Sequence, residues 1–72
     1  MSMMVITPVD AIHTLKRHLH GVIWFKGAAP VGIGPGAVIE LATIGLEEAQ
    51  GFIDRHSGRW EGYKIRARRS GG

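Results

Sequence analysis

Lys64, Arg66 and Arg68 stand at every second position near the end of the chain. Tyr63, Ile65 and Ala67 alternate with them. Side chains along a β-strand point to opposite faces in turn. This spacing therefore predicts one face turned to a core and one face lined with positive charge. Guanidinium forks grip phosphate and carboxylate groups. A row of them attracts a phosphate backbone without reading its sequence, and the attraction weakens with salt. The plain alternative is an edge strand whose charge keeps it from aggregating. Trp24 and Trp60 are the second set of interest. An exposed tryptophan near arginines stacks on a base or anchors a protein interface, whereas a buried one is simply core. Trp24 is next to Phe25, so the two point to opposite faces of a strand. Trp60 lies between Gly58 and Gly62 and reads as exposed. Val31 and Ile33, apolar residues in a glycine- and proline-rich stretch, are candidates to become ordered against a partner.

Other chemistries find less to work with. His13, His18, His20 and His56 have no cysteine or acidic residue at a metal-ligand spacing, so a solvated basic face is the reading and no metal or cofactor is expected. Gly32, Gly34 and Gly36 do not make a phosphate loop. Such a loop must run into a helix N-terminus, and this one leads into a strand without a following lysine and hydroxyl residue. Ser57 beside His56 is a neighbour in sequence, not an activated nucleophile. Glu40 is expected to pair with Arg66 or Lys64 and trim the positive field rather than act as a base. The expectation is a non-enzymatic protein with no small-molecule substrate.

The elements that must position these residues follow from local pattern. Met3 to Ile6 reads as a short strand. Thr7, Pro8 and Asp10 form a helix start: a capping hydroxyl, a proline at the first helical position and an acid at the positive end of the dipole. The helix should run from Pro8 to about Leu19, bury Ala11, Ile12, Leu15 and Leu19, and stop at Gly21. Val22 to Phe25 reads as a strand, and Gly27 to Gly36 as a loop. Ala37 to Ala42 is the next strand. Thr43 or Gly45 caps a second helix with Glu47 and Glu48 in its first turn. Leu46, Ala49, Phe52 and Ile53 form its buried face, and Gly58 closes it. Gly51 weakens the middle of that helix by about 1 kcal/mol relative to alanine, which a close backbone approach would explain. Arg59 to Gly62 is a turn, Tyr63 to Arg69 the last strand, and residues 70–72 a flexible tail. The order strand–helix–strand–strand–helix–strand predicts an α+β, ferredoxin-like split βαβ sandwich: an antiparallel sheet with two helices on one face and the first and third strands central.

Residues 36–68 also resemble the second half of an RNA-recognition motif (RRM). The similarity rests on the run Ala37-Val38-Ile39-Glu40-Leu41, the acidic helix start Glu47-Glu48-Ala49 leading to Ile53, the closing Gly58, and Gly62 before Tyr63-Lys64-Ile65-Arg66-Ala67. The junction Leu19-His20-Gly21-Val22 is similar too. The resemblance implies an RRM-like sandwich and an RNA-facing sheet. Gly36 and Val38 occupy the third-strand positions where the family carries base-stacking aromatic residues.

The chain has 72 residues, a formal net charge of +3 and no cysteine. One domain is expected, ordered over about residues 3–69. A chain this short buries only about 60% of its unfolded surface, and its stability should be roughly 3–5 kcal/mol. Self-association or docking on a larger assembly would add to that. Lack of cysteine suits a reducing compartment, and the cytoplasm is the expected location. The longest apolar stretch, residues 28–39, is broken by Pro30, Gly32, Gly34, Pro35 and Gly36, so no membrane span is expected. These observations favour a small interaction module that binds a protein through its sheet face or its Gly/Pro loop. Trp24, Trp60, Lys64, Arg66 and Arg68 are the contact residues, and Val31 and Ile33 the loop contacts. The alternatives are binding of RNA or single-stranded DNA through the basic strand, and a structural subunit of a homo-oligomer or larger assembly, a viral one included.

Overall fold

The computed structural model describes residues 6–21 and 25–70. Helix α1 spans Pro8–Leu19. Thr7 caps it, with its hydroxyl accepting from the Asp10 amide at 3.2 Å. Ala11, Ile12, Leu15 and Leu19 are buried along one stripe, as their spacing predicts. Strand β1 (Phe25–Val31) and strand β2 (Val38–Thr43) form an antiparallel hairpin, with a short 3-10 turn over Gly34–Gly36 at its tip. Helix α2 (Leu46–Arg55) follows. Strand β3 (Arg59–Trp60) and strand β4 (Tyr63–Arg69) make a second hairpin. Glu61 and Gly62 form its two-residue turn with φ of 51° and 87°. Positive φ at both positions is the type I′ turn that suits strand twist.

The sheet order is β1-β2-β4-β3. β2 and β4 pair in parallel across α2, and the other two pairings are antiparallel. The sheet is thus mixed, not antiparallel as expected. In a ferredoxin-like order the first strand of the chain would separate the strands flanking the second helix. Here those strands are direct neighbours: Ile39 lies opposite Ile65 and Leu41 opposite Ala67. A βαβ unit closed in this way needs no strand between its arms. The expected strand Met3–Ile6 lies outside the described residues except for Ile6, whose carbonyl accepts the Tyr63 hydroxyl at 2.6 Å.

Two other expectations are corrected. The expected loop over Gly27–Gly36 is in part strand, since β1, described from Phe25, continues through Gly27–Val31; of the expected strand Val22–Phe25, the first three residues lie outside the described ones. Pairing with β2 overrides weak local preference, and an edge position tolerates both Gly27 and Pro30. In the expected tail, the Ser70 amide donates to the Thr43 carbonyl at 2.9 Å, and residues 71–72 lie outside the described ones. No close approach explains Gly51, since a Cβ there would meet only the Arg55 side chain at 3.6 Å.

Both helices pack on one face of the sheet. Ile39 and Leu41 from β2 and Tyr63 and Ile65 from β4 meet Ile12, Leu15, Leu19, Phe52 and Ile53 in one core. Thr43 is the buried polar residue among them; its hydroxyl accepts from the Gly45 amide at 3.2 Å and turns the chain from β2 into α2. Gly45 is the N-cap of α2, without a side-chain bond. At the other end Gly58, with φ of 73°, donates to the Ile53 carbonyl at 2.8 Å and closes the helix. No described helix is long and apolar enough to cross a membrane.

Candidate functional site

The face of the sheet away from the helices carries most of the residues singled out in the sequence. Alternation puts Val38, Glu40 and Ala42 of β2 on this face, opposite in direction to buried Ile39, Leu41 and Thr43. Cross-strand register adds Ala29 opposite Glu40 and Val31 opposite Val38 from β1, and Lys64 and Arg66 opposite Val38 and Glu40 from β4. Arg68 follows two residues beyond Arg66 and is exposed. The face is divided. Its β1–β2 half is small and apolar, and its β4 half is cationic.

Glu40 sits on the boundary. Its Oε2 accepts from Arg66 Nε at 3.0 Å and pairs with Arg66 Nη2 at 2.8 Å. Its Oε1 accepts from Arg68 Nε at 2.8 Å. The Arg66 hydrogen bond is the main cause that holds the Glu40 carboxyl below its ordinary pKa; desolvation opposes it, and the Arg68 hydrogen bond and the charge of both arginines outweigh that opposition. The expected Glu40–Arg66 pair is present, and the second partner is Arg68 instead of Lys64. A shallow groove of about 320 Å³ lies beside this clamp. Gly27, Ala29 and Ala42 floor it, and Lys26, Glu40 and Arg68 edge it. It is open to solvent, unlike the enclosed clefts that bind small molecules.

The apolar half continues to the hairpin tip. Val31 is 41% exposed and Ile33 is 93% exposed. A fully solvated isoleucine forgoes about 1.5–3 kcal/mol of burial. The loop residues 32–37 carry no charge.

Trp60 is not part of this surface. Its position between Gly58 and Gly62 predicts exposure; it is half-buried on the helix side. Its indole N–H donates to the Ala11 carbonyl at 3.1 Å and the Thr14 hydroxyl at 3.0 Å. Its ring stands 5.0 Å from His18, 5.3 Å from His56 and 5.9 Å from Phe52, centroid to centroid. A buried indole needs an acceptor, and the first turns of α1 provide two. Sequence reasoning missed this ring cluster because its members come from α1, α2 and β3. Only the four-residue step from Phe52 to His56 hinted at part of it. His18 and His56 approach to 5.9 Å, but the described residues contain no group of three or more potential metal ligands. Trp24 lies outside the described residues.

No protein-family model, curated protein or solved structure matches this chain. The geometry of the surface is therefore what bears on its role.

Proposed function

We propose that the chain is a small non-enzymatic interaction module that docks on a protein partner through the open sheet face and the tip of the β1–β2 hairpin. The observation that carries this reading is Ile33, 93% exposed at the hairpin tip, two residues beyond exposed Val31, which lies opposite half-buried Val38. A contiguous apolar patch rimmed by polar groups is the usual mark of a protein contact. Apolar anchors supply binding energy there, and flanking charge steers the encounter. Val31, Ile33 and the apolar half of the face are the anchors in this reading, with Lys64, Arg66 and Arg68 as the charged rim.

Docking by side chains is favoured over strand addition. Among the described residues β1 is an edge strand, and it carries Lys26, a register shift between Phe25 and Gly27, and Pro30. Each of these blunts the pairing of an edge with another strand. Binding of RNA or single-stranded DNA ranks second. It rests on the exposed cationic row, but Trp60 lies on the opposite side of the sheet and offers no stacking platform beside it.

The test is site-specific photo-crosslinking in the source cell. A crosslinker at Ile33 or at Ala29 should capture one and the same polypeptide, and one at Glu47 on exposed α2 should not. Equal capture from all three positions, or none from Ile33 and Ala29, would overturn the reading. Capture of the chain by itself would assign the surface to a homo-oligomer.

A further inference from the structure

Glu40 does something that packing does not require. Its two partners are well exposed, with Arg66 and Arg68 side chains at 55% and 59%. Ion pairs in such positions contribute little to stability, about 0–1 kcal/mol. An edge or surface row of cations also needs no counter-charge to stay soluble. The clamp nevertheless uses both carboxylate oxygens and both Nε donors.

Without Glu40 the geometry would suit a different ligand. Arg66 and Arg68 project from one strand on the same side, two residues apart, with Lys64 two residues before them. That repeat, about 6–7 Å per step, offers successive cations to a phosphate chain. Glu40 lies directly opposite Arg66 in the parallel register, within reach of both arginines. A group tethered in this way competes at an effective concentration in the millimolar range or higher.

We propose that Glu40 is the specificity-determining residue of the open face: a built-in carboxylate that occupies the arginine pair and so turns phosphate polymers away from a surface that docks a polypeptide. The inference rests on the docking role proposed above. It assigns the clamp to discrimination, which works by obstructing the wrong partner as well as by fitting the right one. Lys64 takes no part in the clamp and stays available to a partner's carboxylate.

The experiment compares wild type with Glu40→Gln and Glu40→Ala, using a fluorescein-labelled single-stranded oligothymidylate and anisotropy across a salt series. Circular dichroism checks that each variant is folded. Both variants should bind the oligonucleotide severalfold more tightly than wild type at low salt, within what two exposed ion pairs of about 0–1 kcal/mol each withhold. The slope of log K against log salt should steepen by about 1.4, the release expected when two further cations engage phosphates of a single strand at about 0.7 each. Adding Arg66→Ala and Arg68→Ala to Glu40→Gln should return the wild-type slope. Identical affinity and slope in wild type and both Glu40 variants would overturn the proposal, as would a wild-type slope already as steep as theirs. Crosslinking at Ile33 reads the docking role separately, so either idea is able to fail without the other.

Discussion

The two faces of the sheet are built from the same strands and behave as different materials. On the helix side, Ile39, Leu41, Tyr63 and Ile65 are buried against both helices, and even the polar groups there are bonded inward. On the open side, the neighbours of those same residues are small, charged or exposed. The difference teaches where stability resides and where the proposed docking would fall. A chain of 72 residues has one small core to spend on folding, so the helix-covered face has little tolerance, and the open face is free to vary.

The largest test of that contrast is Phe52→Ala. Phe52 is fully buried and touches the rings of His18, His56 and Trp60. Removing it should cost about 3–5 kcal/mol, which is comparable to the whole stability of such a domain. Urea titration followed by circular dichroism should find the variant mostly unfolded in buffer. Trp60→Phe keeps a ring but deletes the donor to Ala11 and Thr14. A loss of about 1 kcal/mol is expected from the same titration, and no loss would return Trp60 to the list of free contact residues. Gly51→Ala works in the opposite direction. With only a flexible side chain near the added methyl, it should raise stability by about 0.5–1 kcal/mol.

Changes on the open face should barely register in unfolding. Ile33→Asp should shift stability by less than about 0.5 kcal/mol and still abolish partner capture. A large destabilisation would mean that the tip belongs to the fold. Glu40 supplies the smallest effect, and its sign follows from linkage. Its pKa is lowered in the folded chain by Arg66 and Arg68. The stabilisation it gives is complete above the ordinary carboxylate range and is lost as pH falls through the lower folded value. The difference in Tm between wild type and Glu40→Gln should therefore close on acidification from about pH 6 to about pH 3. A gap that widens in acid would contradict the clamp.

What was legible in the sequence was whatever local chemistry fixes by itself. Helix α1 is readable because Thr7, Pro8 and Asp10 state its start and Ala11, Ile12, Leu15 and Leu19 state its buried stripe. Strand β4 is readable because six of its residues alternate cleanly in character. The extent of β1 was not, since Gly27, Ala28, Ala29 and Pro30 have no strand preference and are extended only because β2 lies alongside. The order of the sheet depends on which strand β4 chooses, a tertiary decision without a local signature. The place of Trp60 was hidden for the same reason: its acceptors are 46 and 49 residues away. On the open face, the alternation of β4 revealed the cations, and the register of β2 was needed to show that one acid holds two of them.

The interior position of β4 has a kinetic consequence. The β1–β2 hairpin joins near neighbours in the chain, whereas Glu40 and Arg66 are brought together across a whole helix. Long-range pairing of this sort carries a closure-entropy cost that the local hairpin largely avoids. A partly folded molecule with that pairing still open would have the hairpin tip in place but not the cationic row set beside its acidic counterweight. If the proposed partner reads both halves, the finished surface would in effect certify complete folding.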